Sequence, residues 1–337
     1  MLTLPDLEVL RPTSVAAAVE LLAKHPGARV LAGGTDLVPN LKYGMYDSGR
    51  VVALRGLSAE LRYVREEAGE LRLGALCTLD QLASDPAIAA KLPALADAAG
   101  QVAGPQLRRM GTLGGNLCLD TRCVYINQTH FWRSALGFCL KKDGTQCHVV
   151  AQGKRCVAAA SNDTAPVLLA LGASVRLVSP RGEQVLPLSQ FYLADGVHNT
   201  VLGPDELLVE VRVPARASEL RQAFAKLRMR AAIDFPALNL AVALGVDGER
   251  RLASAQLCVS ALAARPAIVK GLSDLVGHPV GSTAEIERLG RELGRRAQKQ
   301  CRPLTNISVD PQWRREVLPV LVRRAVVRAL GGGARAG

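Results

Sequence analysis

Four cysteines lie close together in a stretch of the sequence that has little hydrophobic periodicity. They are Cys123, Cys139, Cys147 and Cys156, in a segment, 118–160, that holds five of the eight cysteines in the chain. Thiolates ligate iron–sulfur clusters, commonly four per cubane, and four thiolates also suit a structural zinc ion. Successive cysteines are separated by fifteen, seven and eight residues. These spacings match neither a compact ferredoxin motif nor the close cysteine pair of most zinc sites. The residues therefore favour a metal centre without identifying the metal, and free thiols remain an open alternative.

The remaining cysteines and two nearby histidines are weaker candidates for chemistry. Cys118 directly follows a glycine loop, and we interpret it as a packing residue. His130 and His148 are possible ligands, but we interpret both as solvated loop histidines. Isolated cysteines are mostly small buried hydrophobes, and we assign no chemistry to Cys77, Cys258 and Cys301.

Two loops with paired glycines could bind a phosphate group. They are residues 31–37, with sequence LAGGTDL, and residues 112–116, with sequence TLGGN. Paired glycines let the backbone approach a ligand closely, and successive N–H groups can converge on an anion. Thr35, Thr112 and Asn116 could add hydrogen bonds. Neither loop has the G-x-G-x-x-G or P-loop spacing, so a nicotinamide or P-loop interpretation is unsupported, and each loop alone could be a simple turn.

Hydrophobic periodicity indicates the elements that position these loops. A helical pattern after Pro12 runs into a short strand just before the first glycine loop, and residues 50–54 read as another strand. Residues 80–104 have a helical period with an expected break near Pro93. After segment 118–160, the pattern returns to helix and then strand. The cysteine segment therefore reads as an insertion that is held together by something other than a hydrophobic core.

The last third of the sequence reads as a separate unit. The composition shifts near residues 213–221, which we interpret as a domain boundary. Two strands flank the pair Asp247–Gly248, a strong hairpin signal. Residues 284–300 and 311–330 follow as amphipathic helices.

The composition limits the possible classes of function. With 337 residues, 49% of them hydrophobic and 21% charged, the chain should form two or three domains with buried cores. The net charge is +12, but no dense basic tract with interleaved aromatics appears, so we expect no nucleic-acid binding. We expect no secretory signal and no membrane span, and hence a cytoplasmic protein. Its eight cysteines are then expected to be metal ligands or buried thiols and not disulfides.

Four motifs, in this order, resemble the FAD-binding subunits of the molybdenum hydroxylase (xanthine dehydrogenase) family. They are AGGTDLVPNLK at 32–42, GTLGGNL at 111–117, SNDTAPVLLALGA at 161–173 and FAKLRMRAAIDFP at 224–236. The resemblance implies an α+β fold. A two-lobed FAD-binding domain of the vanillyl-alcohol-oxidase/molybdenum-hydroxylase flavoprotein type would span residues 1–215, with an inserted iron–sulfur loop at 118–160. A smaller α+β C-terminal domain would span 219–328, and residues 329–337 would be a disordered tail.

The same resemblance implies which residues contact FAD. Asp163 occupies the position of an acidic FAD contact, and Lys226 that of a lysine near the flavin ring, where it would stabilise negative charge on reduced flavin. Val102 and Leu208 match apolar contact positions. The two glycine loops would hold the FAD pyrophosphate through Leu31, Ala32, Gly33, Gly34, Thr35, Asp36 and Leu37, and through Thr112, Leu113, Gly114, Gly115 and Asn116.

The cysteine insertion resembles the 4-hydroxybenzoyl-CoA reductase branch of that family. This resemblance implies a [4Fe–4S] cluster on Cys123, Cys139, Cys147 and Cys156. It also implies a molybdenum-cofactor subunit and a small [2Fe–2S] subunit, assembled as a dimer of heterotrimers, with a ferredoxin-type electron donor. No catalytic residue is expected on this chain. Two alternatives remain open: the FAD subunit of a hydroxylase that oxidises an aromatic or heterocyclic substrate, and a basic scaffold protein with a structural zinc loop.

Overall fold

The structure is a computed structural model that describes residues 2–331. Up to residue 214 the strands are β1 (Glu8–Leu10), β2 (Arg29–Leu31), β3 (Arg50–Ala53), β4 (Val64–Glu67), β5 (Glu70–Gly74), β6 (Ser174–Ser179), β7 (Gly182–Pro187) and β8 (Leu207–Pro214). The helices of this part are α1 (Val15–Lys24), α2 (Leu37–Lys42), α3 (Ser58–Leu61), α4 (Leu79–Ser84), α5 (Pro86–Lys91), α6 (Pro93–Gly100), α7 (Pro105–Met110), α8 (Leu113–Leu117), α9 (His130–Ala135), α10 (Thr164–Ala170) and α11 (Leu188–Phe191).

Two sheets organise this first domain. The smaller sheet is parallel, in the order β1-β3-β2, and α1 packs against it through buried residues such as Ala18 and Leu22. Ser14 begins α1, because its Oγ accepts a hydrogen bond from Ala17 N at 3.1 Å. The larger sheet is antiparallel, in the order β4-β5-β8-β6-β7, and shares a core with α4, α6, α8 and α10. The first glycine loop follows the small sheet, and the second lies beside the large one.

The C-terminal domain is a four-stranded antiparallel sheet with two helices packed on one face. Its elements are β9 (Arg221–Leu227), β10 (Leu238–Val246), β11 (Leu252–Ser260), β12 (Ala267–Ile268), α12 (Thr283–Gln300) and α13 (Pro311–Leu330), with sheet order β12-β11-β10-β9. On β10, Leu240 and Val242 pack with α12 and α13, whereas Ala241 and Ala243 join the core of the first domain. Residues that alternate along a strand face opposite sides of the sheet, so β10 helps to join the two domains.

Most elements lie where the sequence places them, with some exceptions. The hairpin across Asp247–Gly248 is confirmed by the antiparallel pairing of β10 with β11. The helical pattern at 80–104 breaks at Leu92, as expected near Pro93, but also at Asp85, whose carboxylate caps α5. The prediction of a disordered tail from 329 is wrong for Ala329 and Leu330, which end α13, and its residues 332–337 lie outside the described residues.

The inserted segment 118–160 has little regular structure. Its only helix among the described residues is α9, and a small apolar cluster around the cysteines includes Met45, Ile126 and Ala158. The proposed division between the domains falls at a short 3-10 turn, Ala215–Glu219. Among the helices of residues 2–331, none combines the length and the apolar character that crossing a membrane requires.

Candidate functional site

The first glycine loop presents a row of free main-chain donors. The N–H groups of residues 33–37 find no acceptor among residues 2–331, because the helical hydrogen bonds of α2 begin only with Val38 N, which donates to Gly34 O. Gly34 has φ +71°, a left-handed conformation that glycine adopts without strain. Free N–H groups that lead into a helix N-terminus favour an anionic ligand.

The two glycine loops touch through their backbones. A Cβ on Gly33 would lie 1.9 Å from Met110 O, and one on Gly111 would lie 3.5 Å from Thr35 Oγ1. Only a residue without a side chain allows the approach at Gly33. The structure therefore brings residues 31–37 and 112–116 to one surface, as two loops that share a diphosphate require.

The second loop differs from the expectation that it offers main-chain donors. The N–H groups of Leu113 and Gly114 donate to Cys77 O and Ala75 O, each at 2.9 Å. Thr112 caps α8, since its Oγ1 accepts from Gly115 N at 3.1 Å. Hydrogen bonds to the segment 75–77, which follows β5, and the cap thus engage donors that the sequence suggested were free. This loop shapes the surface instead of supplying a second row of N–H groups.

Asp163 and Lys226 meet in the buried space between the two domains. Lys226 Nζ donates to Asp163 Oδ2 at 2.6 Å and to Gln101 O at 3.1 Å. Asn239 Nδ2 donates to the other carboxylate oxygen, Oδ1, at 2.9 Å. Burial raises the pKa of Asp163, and the Lys226 ammonium opposes that shift. Lys226 is fully buried and is not part of a surface salt bridge.

Unpartnered polar atoms surround this pair. The buried amide oxygens Asn162 Oδ1 and Asn239 Oδ1 have no hydrogen-bond partner among residues 2–331. Asn116, in the second glycine loop, reaches the same region, since its Oδ1 accepts from Thr164 Oγ1 at 2.6 Å. Buried polar groups are normally satisfied, so these atoms favour a polar ligand beside the pair.

The two apolar positions differ in how close they lie to these polar groups. Val102 is partly buried against the core of the first domain, next to Gln101, and its carbonyl accepts from Arg108 Nη1 at 3.0 Å. Leu208 is a buried residue of β8, paired in register with Leu177. Both remain predictions as FAD contacts.

The four insertion cysteines line one pocket. Cys123, Cys139, Cys147 and Cys156 are each buried, and all four contribute to its wall. Val150 N lies 3.5 Å from Cys147 Sγ and Ala158 N lies 3.5 Å from Cys156 Sγ, each in position to donate. Cys123 and Cys156 are 33 positions apart in the sequence, yet both line this one pocket.

The four cysteines line the pocket but do not form a ready-made site for one metal ion in the described structure. No three His, Cys, Asp or Glu side chains in residues 2–331 lie close enough together to hold a single metal ion. Burial raises the pKa of Cys123 to about 11, and hydrogen bonding by the backbone of Tyr125 opposes the shift. A single zinc ion draws its ligands to about 2.3 Å, whereas a cubane cluster takes one thiolate at each of four separated irons.

The other sulfur and imidazole groups lie outside this ligand set. Cys118 packs against the core of the first domain, and Cys77, Cys258 and Cys301 are buried. His130 is exposed at the start of α9. The prediction of a solvated His148 is wrong: this side chain is half-buried in the pocket wall, with Nε2 2.6 Å from Phe138 O, because the cysteine segment folds back on itself.

Polar residues that sequence reasoning missed join the cysteine segment to the first glycine loop. Arg122 Nη1 donates to Asp36 Oδ1 at 3.0 Å, so the side chain of Asp36 faces the insertion. The buried Arg133 donates to Tyr43 O and Gly44 O, at the other end of α2. Charged residues within a cysteine-rich segment were the available signal, but nothing in their spacing identifies their partners.

Comparisons with known proteins agree with this geometry. Residues 5–216 match the family model described as FAD binding domain in molybdopterin dehydrogenase, and residues 222–329 match the CO dehydrogenase flavoprotein C-terminal domain. The chain is 27% identical to the carbon monoxide dehydrogenase medium chain of Afipia carboxidovorans over 95% of both chains. It is 32% identical to a putative xanthine dehydrogenase FAD-binding subunit of Escherichia coli K12, over 70% of this chain and 68% of that one.

A solved structure shows the same architecture. The chain matches reconstituted CO dehydrogenase from Oligotropha carboxidovorans with a TM-score of 0.78 and 26% identity, over 98% of this chain and 100% of that one. The chain therefore belongs to the family of FAD-binding subunits of molybdenum hydroxylases, with the two-domain fold of the CO dehydrogenase medium chain. It is a flavoprotein subunit of an oxidoreductase.

Proposed function

We propose that this chain is the electron-transferring subunit of a molybdenum-containing complex and that it binds a [4Fe–4S] cluster in addition to FAD. The observation that carries the proposal is the single pocket lined by Cys123, Cys139, Cys147 and Cys156. FAD supplies a two-electron carrier that can exchange single electrons, and a bound cluster would supply a one-electron site beside it.

The residues of the FAD site fit a dinucleotide. The free N–H groups of residues 33–37 would bind the pyrophosphate, and the glycine contact at Gly33 would keep the second loop against it. Lys226 would hold positive charge near the flavin while Asp163 and Gln101 O fix the direction of its Nζ. Thr35, Thr112, Asn116, Val102 and Leu208 are proposed contacts of the same cofactor.

We favour a cluster over a zinc ion in the cysteine pocket. Four buried thiols surround it, and two of them receive main-chain N–H groups, which stabilise thiolates bound to iron. Since no three ligand groups within the described part of the chain converge on a single ion, the zinc alternative requires a rearrangement. The scaffold interpretation is also disfavoured by the family, whose models describe flavoproteins.

We infer that the complex is of the 4-hydroxybenzoyl-CoA reductase type. In that arrangement, this chain would accept electrons from a ferredoxin-type donor and pass them to [2Fe–2S] clusters and molybdenum on partner subunits, for a reductive dehydroxylation. The partners would be a molybdenum-cofactor subunit and a small [2Fe–2S] subunit, in a dimer of heterotrimers. The cysteine pocket supports this direction because it offers an entry site for electrons beside FAD.

A second candidate is the FAD subunit of a hydroxylase that acts on an aromatic or heterocyclic substrate. The match to a xanthine dehydrogenase subunit favours it, since xanthine is a heterocycle. In that complex electrons would leave through this chain. Comparing the rates at which a reduced ferredoxin and an oxidising dye react with the purified complex would separate the two directions.

The test of the proposed cluster is a metal analysis of the anaerobically purified complex. The wild-type complex should contain four irons and four acid-labile sulfides per copy of this chain beyond those of the partner subunits, together with one FAD. The variant C139S should lose most of this extra iron and keep FAD, whereas C118A should keep both, because Cys118 packs outside the pocket. Zinc in place of the extra iron, or full iron retention in C139S, would contradict the proposal.

A further inference from the structure

We propose that the ion pair between Lys141 and Asp120 sets the reduction potential of the group bound in the cysteine pocket. This inference rests on the proposed [4Fe–4S] cluster. Neither residue is a ligand of the cluster; each holds a charge at a fixed place beside it. Lys141 contributes to the pocket wall, and its Nζ lies 2.8 Å from Asp120 Oδ1.

Three acceptors fix the Lys141 ammonium in place. Besides Asp120, Nζ donates to Thr121 Oγ1 at 2.7 Å and to Gly196 O at 2.5 Å. The side chain is 7% exposed, so water screens its charge poorly. An ammonium group with three fixed partners holds its charge at a constant distance from the sulfurs.

Gly196 brings this group next to one of the cysteines. A Cβ on Gly196 would lie 2.7 Å from Cys156 Sγ, and Gly196 N donates to Cys156 O at 2.8 Å. The carbonyl that accepts from Lys141 therefore belongs to a residue in contact with Cys156. The cation lies beside the proposed ligands and is held by the same backbone.

Asp120 is itself anchored on the side of the glycine loop. Tyr46 OH donates to Asp120 Oδ2 at 2.8 Å, and burial raises the pKa of Tyr46, so the phenol stays a donor. Arg122, two residues along the chain, pairs with Asp36 in the first glycine loop. Two carboxylates and two cations therefore form a balanced group between the cysteine pocket and the FAD loop.

In this arrangement the charge of each partner shifts the reduction potential of the cluster in a direction that can be stated in advance. Reduction adds one electron to the cluster and breaks no covalent bond, so a nearby cation stabilises the reduced form and raises the potential, whereas a nearby anion lowers it. Removing the charge of Lys141 should lower the potential, and removing the charge of Asp120 should raise it. Structural damage alone gives no reason for opposite shifts.

The experiment is a potentiometric titration of the anaerobically purified complex with redox mediators, followed by electron paramagnetic resonance of the reduced cluster. We expect K141M to shift the cluster midpoint downward, D120N to shift it upward, and K141R to leave it near the wild-type value. The matched control is K142M: Lys142 is the neighbouring lysine, but it pairs with Asp47 and Asp143 and is not part of the pocket wall. This variant should titrate like the wild type.

The outcomes separate this inference from the function on which it rests. If the wild-type complex has no cluster on this chain, the proposed function fails. If the cluster is present and K141M and D120N titrate like wild type, or shift in the same direction, the ion pair does not set the potential. Should K141M not assemble, D120N decides alone: an upward shift supports the inference and an unchanged midpoint overturns it.

Discussion

Lys226 Nζ lies 2.6 Å from Asp163 Oδ2, and the two side chains are 0% and 4% exposed. Lys226 belongs to β9 of the C-terminal domain, and Asp163 directly precedes α10 of the FAD domain. The pair is thus a charged contact across the domain interface. Its geometry requires both domains to be in place.

The variant K226M should destabilise the protein by about 3–5 kcal/mol, because it leaves the Asp163 carboxylate buried without its cation. Urea unfolding of the complex measures the change. The double variant D163N/K226M should recover part of the loss, since it removes the unpaired charge. As a control, K24M removes an exposed lysine at the end of α1 and should have a much smaller effect. A loss below about 1 kcal/mol in K226M would show that the pair is not a stabilising contact.

The variant G33A should lose FAD. Its Cβ would lie 1.9 Å from Met110 O, so the first glycine loop must move away from the second and displace its free N–H groups. Overpacking of this kind also costs about 1–3 kcal/mol of stability. Flavin absorbance per polypeptide is the measurement.

The matched control for this variant is G49A, because a Cβ on Gly49 meets no atom within 4 Å. It should keep the wild-type FAD content. Wild-type flavin occupancy in G33A would show that the two loops do not need this close approach to bind the cofactor.

Local sequence patterns predicted much of the fold. The alternation of β10 and β11 and the Asp247–Gly248 turn are encoded within a few residues, so the hairpin follows from sequence alone. The missed helix break at Asp85 was also local, since Asp85-Pro86 is a cap followed by a proline at the first helical position. The helical periodicity on both sides of Asp85 had concealed this break.

Contacts between distant segments could not be predicted in this way. Arg122 meets Asp36 across 86 residues, and no periodicity links a loop arginine to a given carboxylate. The hydrogen bond from Gly114 N to Ala75 O likewise depends on how α8 packs against the residues that follow β5. The sequence therefore indicated which residue types form the two sites. The free N–H donors of the first glycine loop and the buried charges between the sites are evident only from the three-dimensional structure.

Glu292 should give the protein an acid-sensitive component of stability. Hydrogen bonds from Arg295 and Arg296 lower the pKa of Glu292 to about 2. Because the folded pKa lies below the unfolded value of about 4.3, the contribution is present above that value and is lost as the pH falls toward 2. Glu292 and its two arginine partners lie near the surface, so their contribution to the free energy of unfolding is at most about 1 kcal/mol.

The measurement is the urea midpoint as a function of pH, for the wild type and for E292Q. The variant should be slightly less stable at neutral pH and should lose less stability between about pH 5 and pH 3. E249Q, which changes an exposed carboxylate on a loop, serves as the control and should follow the wild type. Identical pH profiles for E292Q and wild type would rule out this contribution.

Asn306 should hold the two ends of the cysteine segment together. Its side-chain Nδ2 donates to Val157 O at 2.8 Å, and its main-chain carbonyl accepts from Val124 N at 2.9 Å, so it reaches the neighbours of both Cys156 and Cys123. The side chain is fully buried, and N306A would leave Val157 O without this donor, at a cost of about 1–3 kcal/mol. We expect N306A to release the extra iron to a chelator faster than wild type.

The control for this prediction is Q312A, which removes an exposed amide of the same domain whose one hydrogen-bond partner within residues 2–331 is Glu316. It should release iron at the wild-type rate. FAD content should stay the same in both variants, because Asn306 contacts the cysteine segment and makes no hydrogen bond to either glycine loop in the described structure. If N306A loses FAD and iron together, the residue supports the whole domain interface and not the cysteine pocket in particular. If N306A keeps its iron as long as wild type, the hydrogen bond from Asn306 Nδ2 to Val157 O does not stabilise the site.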